Sequence, residues 1–457
     1  MAKYIHMNAF TQCCPTPQSE GQWKNPRDRS SRGYRDVGFW LEIARTLERG
    51  CFDSLFFADI HGVYDVYAGN MDAGIRHAVQ VPGNDPTLLF PLLAHHTRHL
   101  GFIATYSTTY YQPFLTAKLF SSLDHFTGGR IGWNIVTSYL SSAERNGLGV
   151  MLPHDERYAQ AEEYMGVVYQ LWEQSWDEHA VVRDMVRDVH TEPALIRKIE
   201  HRGHYYSVEG PHMCEPSPQR TPFLVQAGQS PQGMGFAARH AEAQFVVYQD
   251  TRKARDGAAQ IRRTASSLGR DPQDIKLLQA MGVIVAETAA EARLKHERFL
   301  SYANVEGALA LFGGWTGVDL SGFKPTDTLK AFSSQGIQHL AAFFESIDGT
   351  RQWTFAEMCD YMKLASICPL LVGTAVSIAD ELERWMDEGD IDGFNLMPII
   401  QPESFVEFVD LVVPELQNRG RMRTQYDGAT LREHFYGQGQ PRLLTRHPGV
   451  AYRQAPS

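Results

Sequence analysis

Short apolar runs alternate with longer amphipathic runs along most of this chain, and that alternation limits the folds open to it. Eight short runs are apolar on both faces, which is typical of parallel strands covered by helices. Each is followed by a run whose apolar residues have helical spacing. The predicted strands span 4–10, 54–59, 101–107, 129–138, 222–228, 243–249, 275–286 and 391–398. The predicted helices span 34–50, 85–101, 113–129, 154–174, 230–241, 251–269, 288–301, 375–389 and 402–420.

Eight strand–helix units in 457 residues predict an α/β protein whose strands close into a (β/α)8 TIM barrel. The alternative is an open doubly wound sheet, which is expected to carry a glycine-rich phosphate loop after an early strand. Neither GxGxxG nor GxxxxGK(S/T) follows any predicted strand, so the barrel is favoured. We therefore predict a single barrel domain over residues 1–420.

Two long segments do not fit the repeat and are predicted as insertions in the barrel. They lie at about 175–221 and 302–370, and both contain aromatic residues and glycines. Long insertions in a compact fold are usually functional or meet a partner subunit. The polar C-terminal extension, 421–457, is expected to wrap the surface or a neighbouring copy.

Charge and cysteine usage exclude several classes of protein. The net charge is −10 and the pI about 6.0, whereas a nucleic-acid partner calls for a clustered basic surface. No charged segment followed by an apolar stretch opens the chain, and no run of about 18 apolar residues predicts a membrane span. The six cysteines form no CxxC pair, which favours a reduced, cytoplasmic protein.

The active face of such a barrel lies at the C-terminal ends of its strands, so the residues there are the candidate site. Hydroxyl and amide side chains are common at these ends, and metal ligands are few. The residues at these positions include Asp59, Thr105, Ser107, Thr137, Ser138, Gly228, Ser230 and Asn395. This inventory contains no nucleophile–base–orienter set, and it suits many hydrogen bonds to a polar, partly aromatic cofactor.

The fourth predicted strand, GRIGWNIVTS, carries polar groups that a strand does not need for its own stability. Gly132 and Asn134 are expected to face the barrel interior, where little room exists and a polar group needs a partner. Thr137 and Ser138 are expected at the active rim. Trp133, which lies between Gly132 and Asn134, is most simply a core residue.

Two short motifs each have a structural and a functional interpretation. In AGQSPQG, Gly228 permits a close backbone approach, and Ser230 either binds a phosphate at a helix N-terminus or only caps that helix. In HDERY, His154 and Tyr158 lie one turn apart and either cap a helix or bind an anion. The residues by themselves leave both alternatives open.

Other reactive residues favour structural roles. His95 and His99 are predicted one helical turn apart, but they have no acidic partner nearby and precede a strand, so no metal site is predicted. Cys13 and Cys14 are more simply buried and inert than reactive.

Several stretches resemble the bacterial-luciferase-like flavin monooxygenases, in the branch that contains the nitrilotriacetate and dibenzothiophene-sulfone monooxygenases. They are ARTLERGCFDSLFFAD, GRIGWNIVTSYLSSAERN, HDERYAQAEEYMGVVYQLWE and TPFLVQAGQSPQG. The stretches GVYDVY, VQVPGNDP and SYANVEGALALFGGWTGVDL are most similar to the dimethyl sulfide monooxygenases of that branch. The resemblance covers residues 3 to 435.

This resemblance implies a cofactor and a set of residues that hold it. Reduced FMN is expected from a separate NAD(P)H-dependent flavin reductase, and dioxygen would add to it to give a flavin peroxide that oxidises the substrate. The expected FMN contacts are Asp59, Thr105, Asn134, Thr137, His154, Tyr158, Gly228 and Ser230. Within this set, His154, Tyr158 and Ser230 would hold the phosphate. Related proteins are usually homodimers or homotetramers.

The substrate is less defined than the cofactor. A small organosulfur compound similar to dimethyl sulfide is expected, in a pocket lined by His61, Tyr64 and Trp315, with catalytic side chains unassigned. Riboflavin lyases belong to the same branch, so oxidative removal of the ribityl chain of riboflavin is the alternative activity. A flavin-binding barrel without catalysis is a third hypothesis.

Overall fold

The computed structural model describes residues 3–148, 152–328, 344, 347 and 352–453. Within these residues, eight parallel strands form the central sheet. They are β1 (His6–Gln12), β2 (Ser54–Ala58), β3 (Gly101–Ser107), β4 (Ile131–Val136), β5 (Phe223–Gln226), β6 (Ala243–Val246), β7 (Lys276–Val285) and β8 (Gly393–Met397).

The eight strands close on themselves in chain order. Each strand pairs in parallel with the next, β6 pairs with β7, and β8 returns to β1. At the closing seam His6 lies opposite Gly393 and Asn8 opposite Asn395. The predicted (β/α)8 barrel is therefore confirmed.

Helices cover the outside of the barrel and follow the predicted order. The helices at the predicted positions are α1 (Val37–Arg49), α2 (Phe90–His95), α3 (Pro113–Thr127), α4 (His154–Tyr169), α5 (Pro231–His240), α6 (Thr251–Ser267), α7 (Ala289–Tyr302), α8 (Ala375–Gly389), α9 (Glu403–Glu407) and α10 (Val413–Asn418). Helix α4 continues as a π-helical turn at Gln170–Gln174, and another π-helical turn, Phe408–Val412, joins α9 to α10.

The core has two layers because successive strand residues point to opposite faces. On β2, Leu55 and Phe57 belong to the cluster that packs under the helices. Phe56 between them faces the barrel interior, where its ring stacks on Phe245 with centroids 4.5 Å apart and meets Phe10 edge-on. Residues buried on both faces explain the nearly continuous apolar runs of the sequence.

The predicted helix over 85–101 is wrong in its second half. A 3₁₀ turn at Pro86–Leu88 leads into α2, which ends at His95. Beyond it, Glu48 Oε1 accepts the backbone N–H groups of Arg98, His99 and Leu100, so a side chain replaces the helical acceptors. The ring of His99 stacks on Tyr426 instead of lying one turn from His95.

The C-terminal extension does more than wrap the surface. A short helix, Leu431–Tyr436, closes the N-terminal end of the barrel. A Cβ on Gly101 would lie 2.5 Å from a methyl group of Leu431, and one on Gly132 would lie 3.1 Å from its other methyl group. Arg432 is fully buried and bonds both carboxylate oxygens of Glu242, at 2.7 and 2.9 Å. The expectation of a surface tail is wrong for this segment.

The two predicted insertions contain secondary structure of their own. The first holds antiparallel hairpins, Val181–Asp184 with Val189–Thr191 and His201–Arg202 with Ser207–Val208. The second holds helices Val305–Thr316 and Phe355–Tyr361 in its described part. A strand at its end, Leu370–Gly373, pairs in parallel with the last residues of β7 and was not predicted. No helix in the described residues is long and apolar enough to cross a membrane.

Candidate active site

A cavity of about 280 Å³ opens at the C-terminal ends of β2 to β5, where the active face of this fold is expected. Many of the predicted site residues meet there although the sequence separates them by up to 169 positions. Its wall includes Asp59, His61, Thr105, Thr137, Tyr158 and Gly228. The barrel brings them together because parallel strands all end at the same edge of the sheet.

Asn134 lies on β4 beside the cavity, directly opposite Thr105 on β3. Its Nδ2 donates a hydrogen bond of 3.0 Å to Thr105 Oγ1. Its Oδ1 is buried and has no partner among the described residues. A buried amide oxygen without a donor is costly, so this atom is an open acceptor for a bound N–H group.

The chain leaves β4 through a turn that points two hydroxyl residues toward the cavity. Ser138 has a φ of +59°, which residues other than glycine adopt only where neighbouring contacts hold them. Its Oγ donates to Ser107 Oγ at 2.8 Å, and Thr109 Oγ1 donates to the carbonyl of Thr137 at 2.7 Å. At the predicted polar rim, the turn after β4 is therefore hydrogen-bonded to the end of β3 and the loop that follows it.

Ser230 caps helix α5, because its Oγ accepts the N–H of Gly233 at 3.0 Å. The ring of His154, the first residue of α4, also reaches it, with Nε2 3.5 Å from Ser230 Oγ. The His154 and Tyr158 rings meet with centroids 5.2 Å apart. The N-termini of α4 and α5 thus converge beside the cavity, an arrangement that favours an anion.

Gly228 has no room for a side chain. A Cβ there would lie 2.5 Å from Gln226 Nε2 and 3.0 Å from the Tyr158 hydroxyl. Its N–H donates to Gln226 Oε1 at 2.7 Å, and its carbonyl accepts from Gln244 at 2.8 Å. The glycine lets the β5–α5 turn lie against Tyr158 at the wall of the cavity.

A second cavity of about 700 Å³ adjoins the first and shares Asp59, Ile60 and His61 with it. It is lined from the loops after β1 and β2 and includes Cys13 and Cys14. All six cysteines of the chain are free. Burial raises the pKa of the Cys13 thiol to about 12, so this thiol is protonated at neutral pH.

Asp59 stands in the wall between the two cavities. Its Oδ1 accepts the N–H of Ile60 at 2.9 Å. Burial is the main cause that raises the pKa of Asp59 to about 7, and the charge of Asp85 adds to it. The carboxyl group therefore changes protonation near neutral pH, as groups that hold or pass a proton in an active site often do.

His61 also lies in both walls. Its Nε2 is 3.0 Å from the Tyr111 hydroxyl, and its ring meets the rings of Tyr110 and Tyr111 edge-on. Burial lowers the pKa of His61, so the neutral imidazole is favoured.

Tyr64 and Trp315 do not border either cavity. Tyr64 is buried, donates to Gln80 Oε1 at 2.9 Å and lies 2.9 Å from the hydroxyl of Tyr139. Trp315, at the end of the helix Val305–Thr316, donates to the Tyr64 hydroxyl at 3.3 Å. Tyr139 itself lines the first cavity, so the two predicted residues support the pocket from behind.

Sequence reasoning missed two residues that take part in the site. They are Tyr139, which follows the predicted residue Ser138, and Arg157, which precedes the predicted residue Tyr158. Arg157 Nη1 donates to the carbonyl of Ser138, and its Nε is buried without a partner among the described residues. The motif HDERY contained the signal, since Arg157 follows His154 by three positions and shares its helix face.

Comparison with known proteins identifies this arrangement. The model of the luciferase-like monooxygenase family matches residues 14–389. The chain belongs to the luciferase-like monooxygenases. As a member of this family it is a flavin-dependent monooxygenase, and the resemblance predicted from the sequence motifs is confirmed.

Two characterised luciferase-like monooxygenases are similar over the full chain. The dimethyl-sulfide monooxygenase of Hyphomicrobium sulfonivorans is 43% identical, over 100% of this chain and 95% of its own length. The long-chain alkane monooxygenase of Geobacillus thermodenitrificans is also 43% identical, over 100% of both chains. The crystal structure of a riboflavin lyase with modified FMN and riboflavin superposes with a TM-score of 0.91 at 32% identity, covering 99% of this chain and 100% of that one.

Proposed function

We propose that this protein is the oxygenase of a two-component system that uses reduced FMN and dioxygen to oxidise a small organic sulfide, with C–S cleavage. The observation that carries the proposal is the shape of the site. A cavity at the strand ends has an unpartnered amide oxygen beside it, next to Thr105 and Ile135 of its wall, and two helix N-termini close to Tyr158 and Gly228 of the same wall. A flavin mononucleotide has matching parts, a flat ring with N–H groups and a phosphate.

The residues in and beside the wall formed by β3 and β4 fit the flavin ring. The Oδ1 of Asn134 is a buried acceptor that lacks a donor, and a ring N–H would satisfy it. The Asn134–Thr105 hydrogen bond fixes the direction of that amide. Thr137 and Asp59 complete the polar rim of the same cavity.

The residues at the outer edge fit the phosphate. Ser230 Oγ, His154 Nε2 and the Tyr158 hydroxyl lie close together at the N-termini of α4 and α5. Hydrogen-bond donors and helix dipoles directed at one point are the usual way in which proteins hold a phosphate. Gly228 leaves the space that the approach to this point requires.

Reduced FMN, when bound, supplies the activation of dioxygen, which no ordinary side chain can provide. The protein's own part is to hold the ring, exclude water and manage protons. Asp59 and His61 stand between the two cavities, and both have pKa values that permit a neutral form near pH 7. They are suited to hold a proton between flavin and substrate.

A separate NAD(P)H-dependent flavin reductase would supply the reduced cofactor. The chain carries no glycine-rich nucleotide fingerprint after a strand, which supports delivery of flavin that is already reduced. Ala227, in the wall of the first cavity, is exposed to solvent, so FMN can enter and leave. We further propose a homodimer or homotetramer, which light scattering after size-exclusion chromatography would identify.

The second cavity supports a neutral substrate. Its wall carries the carboxyl groups of Asp59, Asp65 and Asp85, and Arg145 pairs with Asp65. An anionic substrate would meet unfavourable charge there, whereas a neutral thioether would not. The 43% identity to a dimethyl-sulfide monooxygenase supports the sulfide assignment.

The test is turnover with a flavin reductase, NAD(P)H, FMN and air. Loss of dimethyl sulfide, measured by gas chromatography, is expected, with slower loss of the matched anion 3-(methylthio)propionate. A long-chain alkane serves as the competing substrate, because an alkane monooxygenase is equally similar. Substrate loss in strictly anaerobic buffer, or loss of the alkane alone, would contradict the proposal.

Riboflavin is the second candidate substrate. The specific observation in its favour is the larger cavity, which adjoins the flavin cavity and has a polar wall, beside the similarity to a lyase that binds both molecules. Incubation with riboflavin, reductase and air, followed by chromatography, would show lumichrome if the ribityl chain is removed. Unchanged riboflavin would eliminate this activity.

A further inference from the structure

Four arginine side chains converge on a cavity of about 320 Å³ that lies away from the active site. We call it the arginine cavity, and its walls include Arg197, Arg220, Arg442, Arg453, Glu173 and Glu178. These residues come from the π-helical turn after α4, the first insertion and the C-terminal extension. The tertiary structure brings three separate segments together here.

The arginine cavity lies at the opposite end of the barrel from the flavin site. Helix α4 begins at His154, beside Ser230, and its π-helical turn ends at Gln174 in the wall of the arginine cavity. Twenty residues of helix at about 1.5 Å each place the two sites about 30 Å apart. The arginines therefore take no part in holding the flavin.

The carboxylates of the arginine cavity do not accept hydrogen bonds from all the arginine N–H groups around it. Arg220 and Arg442 share Glu178, at 2.9 and 2.7 Å, and Arg453 Nε bonds Glu173 at 2.6 Å. Arg442 Nη1 and Arg453 Nη2 are buried and have no partner among the described residues. The side chain of Arg197 makes no hydrogen bond or ion pair with any described residue.

The charge balance of the arginine cavity is positive in an acidic protein. Four arginines face three carboxylates, Glu173, Glu178 and Asp177, which leaves one positive charge, whereas the chain carries −10. Burial is the main cause that lowers the pKa of Arg442; the charges of Arg220 and Arg453 also lower it, whereas the carboxylates of Glu178 and Glu173 raise it. An added negative charge would relieve this repulsion between like charges.

We propose that the arginine cavity binds a small oxyanion of the phosphate or sulfate type. The planar guanidinium groups present paired N–H donors, the geometry that recognises tetrahedral and carboxylate oxygens. The oxyanion occupies the space between Arg197, Arg442 and Arg453. It accepts hydrogen bonds from Arg442 Nη1 and Arg453 Nη2, which have no other partner among the described residues. It ties the first insertion to the C-terminal extension, because Arg197 belongs to the former and Arg442 and Arg453 to the latter.

The test is calorimetric titration of the purified protein with inorganic phosphate, at constant ionic strength set with chloride. Saturating FMN is present so that phosphate cannot bind at the flavin site. Saturable binding with one site per chain is expected, together with a rise in the thermal unfolding midpoint, since a ligand of the native state stabilises it. Sulfate should compete with phosphate, and chloride should not.

Two variants assign the binding to these residues. Arg442→Gln and Arg197→Gln should each weaken phosphate binding by about tenfold, as expected for the loss of one charge-assisted hydrogen bond. Arg384→Gln is the matched control, because Arg384 is a surface arginine paired with Glu381 and its loss changes the net charge equally. If Arg442→Gln does not fold, Arg197→Gln decides, since that side chain supports no described contact. Binding that does not saturate, or that is equally strong in the variants and the control, overturns the proposal.

Discussion

Asn134 and Thr105 face each other across β4 and β3, and a 3.0 Å hydrogen bond from Asn134 Nδ2 to Thr105 Oγ1 leaves the other amide atom of Asn134, Oδ1, outside this pair. That oxygen is buried and has no donor among the described residues. We propose that the bound flavin supplies the donor that this oxygen lacks.

Asn134→Ala should weaken FMN binding by about 1–2 kcal/mol, because the ring N–H would lose its acceptor in a buried site. Folding stability should change little, since the amide oxygen makes no hydrogen bond within the described chain. Fluorescence titration with FMN and urea unfolding measure the two effects. Asn395→Ala is the control. It removes the acceptor of Asn8 deeper in the barrel and should lower stability without changing flavin affinity.

Ser230→Ala should weaken FMN binding by about 1–3 kcal/mol if Ser230 bonds the phosphate. It should also destabilise the protein by about 1 kcal/mol, because Ser230 caps α5. Thr288→Ala removes the cap of α7 and provides the comparison, since Thr288 is remote from both cavities. Equal flavin affinity in both variants would show that Ser230 is only a cap.

Asp59 should make flavin binding depend on pH near neutrality. Its folded-state pKa of about 7 means that the carboxyl group is neutral below this pH and negative above it. FMN carries a phosphate anion, so its binding to the wild type should weaken as the pH rises through 7. Asp59→Asn should remove this dependence. The measurement is the difference between the FMN affinities of the wild type and Asp59→Asn as a function of pH, because protonation of FMN itself affects both proteins equally. Parallel curves for the two proteins would contradict the assignment.

His434, in the helix that closes the barrel, should make the protein sensitive to acid. Burial lowers its pKa to about 4, below the ordinary value near 6.5. The unfolded chain therefore binds the proton more readily, and the stability from His434 is complete above pH 6.5. It is lost as the pH falls toward 4, by up to about 3 kcal/mol.

Urea unfolding between pH 7.5 and 5 tests this prediction. His434→Gln should be less stable at pH 7.5 yet show a shallower fall in stability on acidification than the wild type. His190→Gln, a change at an exposed position, should leave the slope unchanged. A slope in His434→Gln as steep as that of the wild type would assign the acid sensitivity to other groups.

The sequence predicted many of the residues that lie around the first cavity, because parallel strands place their C-terminal ends at one edge. Thr105, Asn134 and Gly228 could be assigned to that edge from strand spacing and a motif resemblance, before any contact was known. The hydrogen bonds from Asn134 to Thr105 and from Gln244 to Gly228 could not, since each joins two different strand–helix units whose register depends on closure of the whole barrel.

The errors have a common cause in long-range contacts. Helical spacing predicted a helix through His99, but Glu48, about 50 positions earlier, takes the backbone donors that would continue it. Tyr64 and Trp315 were predicted to line the pocket, yet they lie behind Tyr139. There they bond each other, although they are 251 positions apart in the sequence. Local pattern carries no information on such partners.

The sequence by itself determined the (β/α)8 architecture and the polar ends of its strands, because hydrophobic periodicity is a local property. Only the tertiary structure decided that Leu431 closes the barrel, that Asn134 keeps one oxygen free, and that Arg197 meets Arg442 and Arg453. Each of these depends on packing between segments far apart in the chain. Burial and charge at such contacts are set by the assembled fold and not by neighbours in sequence.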